Sequence, residues 1–428
     1  MATDTLTAEE VTPERLAQAR KAVLSSSIGA ALEWFDIIVY ASFAVVIAAN
    51  FFPEGDETLG LILTFATFAI SYLIRPIGGL VIGSYADKHG RKKALSLTLL
   101  LMMVGTILMA AAPTHSTIGA WAGIIILLSR LVQGFSAGGE FGSATTYLVE
   151  MAPNRKAYYA SWQVAAQGIS MFLASAFGYL LFTHLSKDAL YTWGWRIPFI
   201  IGILIGPVGL YIRARLSETK EFAESTPHEA PVKAVFTEHL GRSLAGIACV
   251  GVATISVYLI LFMPTYAVKN LGVPASAAYL GGVVAGIVVV IGVPLVGRLA
   301  DRVGPARIMI GAAVAALVLA WPLFAIVIAS RSVPVLIVSI GLLGVIMAFY
   351  FGPLPALLTT LYPSDVRATG VSTAYNIGVT VMGGIAPLVL TWLISLTGSL
   401  NAPSVYYMVV AVISLVGLFV ARRSYGAR

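Results

Sequence analysis

The chain has 428 residues, of which 58% are hydrophobic and only 11% charged, with a mean hydropathy of +0.89 and a formal net charge of +7. A soluble domain carries about 25% charged residues, so a chain this long with so few charges has too little polar surface to face water, and lipid must cover most of its outside. The basic excess sits in short loops between apolar runs, which points to membrane-flanking segments and excludes a nucleic-acid-binding face.

Residues 1–21 contain Asp4, Glu9, Glu10, Glu14, Arg15 and Arg20 without an apolar core, unlike a cleavable signal peptide, and are expected to form a cytoplasmic segment. Twelve apolar runs follow, each near the ~20 residues that cross hydrocarbon as a helix: 22–49, 60–85, 94–112, 120–147, 158–183, 194–212, 243–267, 275–297, 308–329, 333–360, 369–396 and 403–421. They are too long and too uniformly apolar for barrel strands, so the fold class is an all-α polytopic membrane protein. Basic residues divide 21 on the side of the N-terminus against 4 on the other, with Arg75 and Arg130 inside spans. Excess Lys and Arg mark the cytoplasmic face, so both termini are expected there.

The longest polar stretch, 213–242, separates an N-terminal six-helix bundle (22–212) from a C-terminal one (243–421), with a short tail at 422–428. The halves repeat. Gly83, Asp87 and Gly90 recur as Gly297, Asp301 and Gly304 at an offset of 214, and Arg155 and Ser161 are echoed by Arg367 and Thr373 at 212. Duplicated halves joined by a cytoplasmic linker suggest alternating access around a site between them.

A Gly-x-x-x-Asp-x-x-Gly-Arg loop between spans two and three (Gly83, Asp87, Gly90, Arg91), with a reduced copy between eight and nine, resembles the signature of the major facilitator superfamily. Glu33-Trp34-Phe35-Asp36, Arg75-Pro76-Ile77-Gly78, the segment Arg130 to Glu140, and Trp193-Gly194-Trp195-Arg196 make the chain similar to that family's metabolite:proton symporter branch. The resemblance implies the family's fold of two pseudo-symmetric six-helix bundles. It also implies secondary active transport of a small metabolite with protons: citrate, tricarballylate, α-ketoglutarate, shikimate or another aromatic acid, or proline and betaine. Ser161-Trp162-Gln163 with Gln167 resembles the citrate and tricarballylate carriers, whereas Gly29-Ala30-Ala31-Leu32-Glu33-Trp34 looks more like the shikimate and ketoglutarate carriers. The osmosensing betaine carriers have a long coiled-coil tail, while here seven residues follow Ala421, which weighs against that reading.

Five ionisable residues lie well inside the spans, all in the first half: Glu33, Asp36, Arg75, Arg130 and Glu140. Each costs about 2.5–3.5 kcal/mol or more if it faces lipid, so each is expected to face the interior with a partner. Glu33 and Asp36, three apart, share a stripe of the first span with Tyr40. At 1.5 Å per residue, Asp36 and Arg130 both fall near mid-membrane and can meet. Two carboxyls on adjacent turns do not both ionise cheaply in low dielectric. Asp36 with Glu33 is the expected proton-coupling pair and Arg130 its switchable partner; the plainer alternative is a permanent ion network that only fixes packing.

Arginine at 75 and 130 suits a carboxylate ligand, because a planar guanidinium binds it bidentately and keeps its charge. Arg75 has the alternative of snorkelling or pairing with Glu140. Gln163 and Gln167 offer uncharged donors and acceptors on one face, for ligand or for helix contact. The second half contributes only polar and aromatic groups: Tyr258, Tyr350, Tyr375 and Asn376, of which Tyr375 and Asn376 join Tyr40 as substrate-site candidates. At the cytoplasmic face Asp87, Arg91 and Glu150, with Asp301, Asp365 and Arg367 as counterparts, are expected to gate. Asp87 is placed to accept N–H groups from a helix start in the other half.

Nothing in the sequence supports catalysis: there is no nucleotide loop, metal-ligand cluster or nucleophile–base spacing, and no cofactor is expected. Cys249 stands alone in an apolar run, so a disulfide framework is absent. The expected partners are a carboxylate substrate, protons and the lipid of a bacterial inner membrane, with the chain a monomer. A channel or a non-transporting sensor is the alternative from another class.

Overall fold

Backbone polar groups inside hydrocarbon must be satisfied within their own segment, and the helix does this for a single run. The computed structural model describes residues 23, 27, 30–31, 33–52, 57–79, 81–82, 91–138, 140–152, 154–214, 231–363 and 366–427; among them there is no strand. The first helix, α1, is a bent pair, Glu33–Ser42 and Ala44–Phe51, turned by 71°. Next come α2 (Glu57–Gly79), α3 (Arg91–Ala111) and α4 (Trp121–Ala137), the last extended by Glu140–Met151. Then follow α5 (Lys156–His184), α6 (Gly194–Tyr211), α7 (Leu240–Leu271), α8 (Ala275–Val303), α9 (Pro305–Ser330), α10 (Val333–Leu361), α11 (Thr369–Thr397) and α12 (Ala402–Tyr425). Among the described residues, each of these helices falls within or overlaps one of the twelve apolar runs. A short helix, Pro231–Thr237, lies in the linker where the sequence had suggested only a polar connection.

The outer faces are apolar, as lipid contact requires: Leu204, Val318 and Leu396 are 67%, 61% and 65% exposed. Inside, small residues let helices approach. A Cβ on Gly134 would lie 1.9 Å from the Ser71 carbonyl oxygen, and one on Gly138 would lie 2.0 Å from that of Arg75, so α4 rests directly on the α2 backbone. Across the halves α5 packs on α8, where a Cβ on Gly286 would meet the Phe172 backbone at 2.7 Å.

Helix ends are tied by side chains. Arg196 donates to the carbonyls of Ala110 (3.1 Å), Ala112 (2.9 Å) and Thr192 (2.8 Å) while stacking on the buried Trp195. The Trp-Gly-Trp-Arg motif thus closes the carbonyl end of α3 against the start of α6. Gly304, at φ 100°, turns the chain from α8 into α9, and Pro305 takes the first helical position, where its missing N–H costs nothing.

Candidate functional site

The intramembrane charges converge between α1, α2 and α4. Asp36 is 3% exposed, Arg75 2% and Arg130 1%. An Arg130 Nη2 donates to Asp36 Oδ2 at 3.0 Å, and Gln133 Nε2 donates to the same oxygen. Gln133 Nε2 also reaches Thr106 Oγ1 of α3 at 3.1 Å. The Arg130 guanidinium lies over the Tyr40 ring, 4.1 Å from its centre. That ring is held by its hydroxyl, which pairs with Thr67 Oγ1 (2.6 Å) and donates to the Thr64 carbonyl (3.1 Å).

The second pair lies one turn away. Arg75 Nη2 stands 4.0 Å from Glu33 Oε1. Its guanidinium sits 4.1 Å from the Tyr72 ring centre and 5.7 Å from that of Trp34. The aromatic faces supply negative charge density to a cation that burial strips of water. The two carboxylates therefore do not act on one arginine. Residues three apart on a helix differ by about 60° around its axis, and here that turn sends Glu33 toward α2 and Asp36 toward α4. Arg75 is too buried to snorkel, and the side chain of Glu140, its other suggested partner, lies outside the described residues.

From the second half, Tyr258 meets Tyr72 edge-on, with ring centres 5.5 Å apart. Tyr375 stacks on Phe141 and neighbours Gln167, Tyr72, Glu33 and Arg75. Asn376 Nδ2 donates to the Gly138 carbonyl at 3.0 Å, and Thr380 Oγ1 donates to that of Tyr72 at 3.0 Å, so α11 is bonded to both α4 and α2. Several buried valences in this cluster have no protein partner: Asp36 Oδ1, Arg75 Nε, Arg130 Nε and Gln133 Oε1. A proton and a polar ligand are what such groups can take up.

Some sequence candidates sit differently. Gln163 accepts from Thr145 Oγ1 at 2.8 Å, a bond between α5 and the α4 extension. Tyr350 donates to the Cys249 carbonyl at 2.9 Å, away from the charges. Tyr40 has its hydroxyl committed to Thr64 and Thr67 of α2 and its ring against Arg130, all within the first half. Gln133 and Tyr72 were missed, although each stands three residues from a buried arginine and shares its helix face.

At the C-terminal end of α8, Asp301 accepts backbone N–H groups of Ala157 (2.8 Å) and Tyr158 (3.1 Å) at the start of α5. Arg298 adds a bond to Tyr158 Oη at 3.1 Å. The partner of Asp301 is thus a helix start in the other half. Arg367 donates through Nε to the Tyr362 carbonyl at 3.4 Å. Asp87 and Asp365, and the side chains of Arg91 and Glu150, lie outside the described residues. No cluster of metal-binding side chains occurs among the described residues.

Comparison with known proteins places this geometry. The chain is 37% identical over 409 residues to a citrate-proton symporter of Klebsiella pneumoniae, covering 94% of this chain and 92% of the relative. It is 35% identical over 398 residues to one of Salmonella typhi, covering 92% of each. A proline/betaine transporter of Escherichia coli (strain K12) is 33% identical over 416 residues, covering 93% and 82%. Among solved structures a proton:xylose symporter superposes with a TM-score of 0.77 over 95% of both chains at 16% identity, a likeness of fold alone. The sequence pattern of the Major Facilitator Superfamily matches residues 27–387, and this helical integral membrane protein belongs to that family.

Proposed function

We propose that the protein is a secondary transporter that imports a small organic acid, a di- or tricarboxylate of the citrate or tricarballylate type, together with protons. The observation that carries this reading is the pair of buried arginines, each facing a carboxylate of the same half: Arg130 with Asp36, Arg75 with Glu33. Two cations that never lose their charge are the natural receivers of two ligand carboxylates. Their internal partners must then give way, and a carboxyl that loses its guanidinium is the one that takes a proton. Asp36 and Glu33 are assigned to proton coupling and Arg130 to switching between Asp36 and ligand. Arg75, Gln167 and Tyr375 line the substrate side, and Asn376 closes it against α4. The similarity to two citrate-proton symporters supports the same substrate class.

Import of an anion against an inside-negative potential is opposed by about 2.3 kcal/mol per charge per 100 mV, and co-transported protons remove that penalty. Both termini are assigned to the cytoplasm, with the protein in a bacterial inner membrane. Asp87, Arg91 and Glu150, with their second-half counterparts Asp301, Asp365 and Arg367, form the cytoplasmic gate. The deciding experiment is uptake into liposomes holding the purified protein, with an imposed inward proton gradient and citrate, tricarballylate, α-ketoglutarate, shikimate or betaine outside. Accumulation of a carboxylate that disappears when the gradient is collapsed is expected; accumulation indifferent to the gradient rules out symport. Carriage of a zwitterion is the second reading, favoured by the 33% identity to proline/betaine transporters and by aromatic faces that suit a quaternary ammonium. Uptake of betaine without any acid would establish it.

A further inference from the structure

On the face away from Asp301, the starts of α2 and the ends of α7 and α11 enclose a cavity of about 270 Å³. Its polar lining comes from both halves, with Glu57 and Thr58 from the first and Lys269 and Asn270 among those from the second. Lys269 Nζ donates to Glu57 Oε2 across the halves. Glu57 is 83% exposed at its side chain, whereas Lys269 is only 27% exposed. The cation is therefore held in the wall while its carboxylate partner approaches from water. An exposed pair of this kind contributes little net stability, so a competing carboxylate displaces Glu57 readily.

The cavity is separate from the charged cluster. Glu57 precedes Arg75 by 18 residues on α2, about 27 Å of helix. Between them α2 meets α7 through aromatic rings, Phe65 on Phe262 with centres 6.0 Å apart and Phe68 on Tyr258 at 6.0 Å. Phe262 also lines the cavity and forms its inner wall. Tyr72 continues this row to the Arg75 guanidinium.

The geometry points to an outer binding site for a small carboxylate anion, with Lys269 as the receiving cation and Glu57 as an internal carboxylate that occupies Lys269 until the ligand displaces it. This rests on the carboxylate reading of the substrate given above. Substrate would then bind twice on its way in, first beside Lys269 and then, past the Phe65–Phe262 contact, beside Arg75 and Arg130.

The two partners of the ion pair provide the test, because a mere latch and a binding site differ in sign. Liposome uptake of citrate is measured for the unaltered protein, Glu57→Gln, Lys269→Gln and Lys269→Arg. Glu57→Gln frees the cation and is expected to lower KM about two- to fivefold, while Lys269→Gln raises it by a similar factor. Lys269→Arg is expected to recover most of that loss, and all these shifts should shrink at high salt, where exposed charges are screened. Citrate titrations of the purified proteins, followed by tryptophan fluorescence, check that the shifts lie in binding and not in the amount of folded protein. If both neutral variants move KM in the same direction, or neither moves it, the pair is only a latch and the inference falls while the carboxylate reading stands. If the unaltered protein takes up no acid at all, the substrate reading itself fails.

Discussion

The two oxygens of the Asp36 carboxylate have unequal surroundings: Oδ2 receives Arg130 and Gln133, whereas Oδ1 is buried without a protein partner. Protonation on Oδ1 therefore need not break the existing bonds. Asp36→Asn keeps the shape and removes the ionisable group, so it is expected to abolish gradient-driven accumulation while leaving exchange of labelled substrate; equal loss of both, measured in the same liposomes, would assign Asp36 to folding or to ligand binding. Arg130→Gln has a different expected signature. It leaves a buried carboxylate without its counter-charge, a change that costs about 3–5 kcal/mol and should appear as a large fall in the thermal midpoint in detergent. Adding Asp36→Asn should recover much of that midpoint but no transport. The glutamine at 133 belongs to the same unit, although among the intramembrane amides the sequence reading singled out only Gln163 and Gln167. Its role emerges only from its contact with Asp36 and Thr106.

At the scale of the helix, placement of the charges depends on how closely α4 lies on α2. Gly134 and Gly138 face backbone carbonyls at distances no Cβ tolerates, and the carbonyl under Gly138 is that of Arg75 itself. Gly138→Ala should push α2 away from α4 and cost more than 1 kcal/mol, as overpacking does, with loss of both thermal stability and uptake. Gly311 in α9 is the matching control, since nothing lies within 4 Å of its Cβ position; Gly311→Ala should leave the thermal midpoint and uptake unchanged or raise stability slightly. The four-residue spacing of Gly134 and Gly138 is a close-packing signal in the sequence itself. Which helix they meet is not legible there, because small residues announce proximity without naming a neighbour. The bend in α1 and the helix Pro231–Thr237 were likewise unread, the first lying in an uninterrupted apolar run and the second in a polar one.

For the molecule as a whole, the halves are joined near both faces: Asp301 to the start of α5 on one side, and Tyr279 Oη to the Ser42 carbonyl (2.5 Å) with Lys269 to Glu57 on the other. Opening to either side must break one set. Asp301→Asn weakens two bonds to a charged acceptor, each worth about 1.5–3 kcal/mol, and should favour the state open at that face. In a chain carrying Cys249→Ala and Ser161→Cys, Ser161 being buried against Gly297, Asp301→Asn is expected to speed labelling by a membrane-impermeant thiol reagent roughly tenfold. An unchanged rate would remove Asp301 from the gate.

The class of protein, its twelve spans and the confinement of buried charge to the first half followed from sequence alone, because hydropathy and the cost of an intramembrane charge are properties of each segment against its solvent. The duplicated loops also revealed two related halves. Pairing followed only in part: the meeting of Asp36 with Arg130, 94 positions apart, was legible from their depth, whereas that of Glu57 with Lys269, 212 apart, was not. Their meeting depends on the rotation of each helix about its axis and on which neighbours it crosses. Only the tertiary structure decided that Glu33 turns to Arg75 and away from Arg130, that Asn376 bonds across the halves, and that a lysine and a glutamate at the ends of separate helices face one cavity.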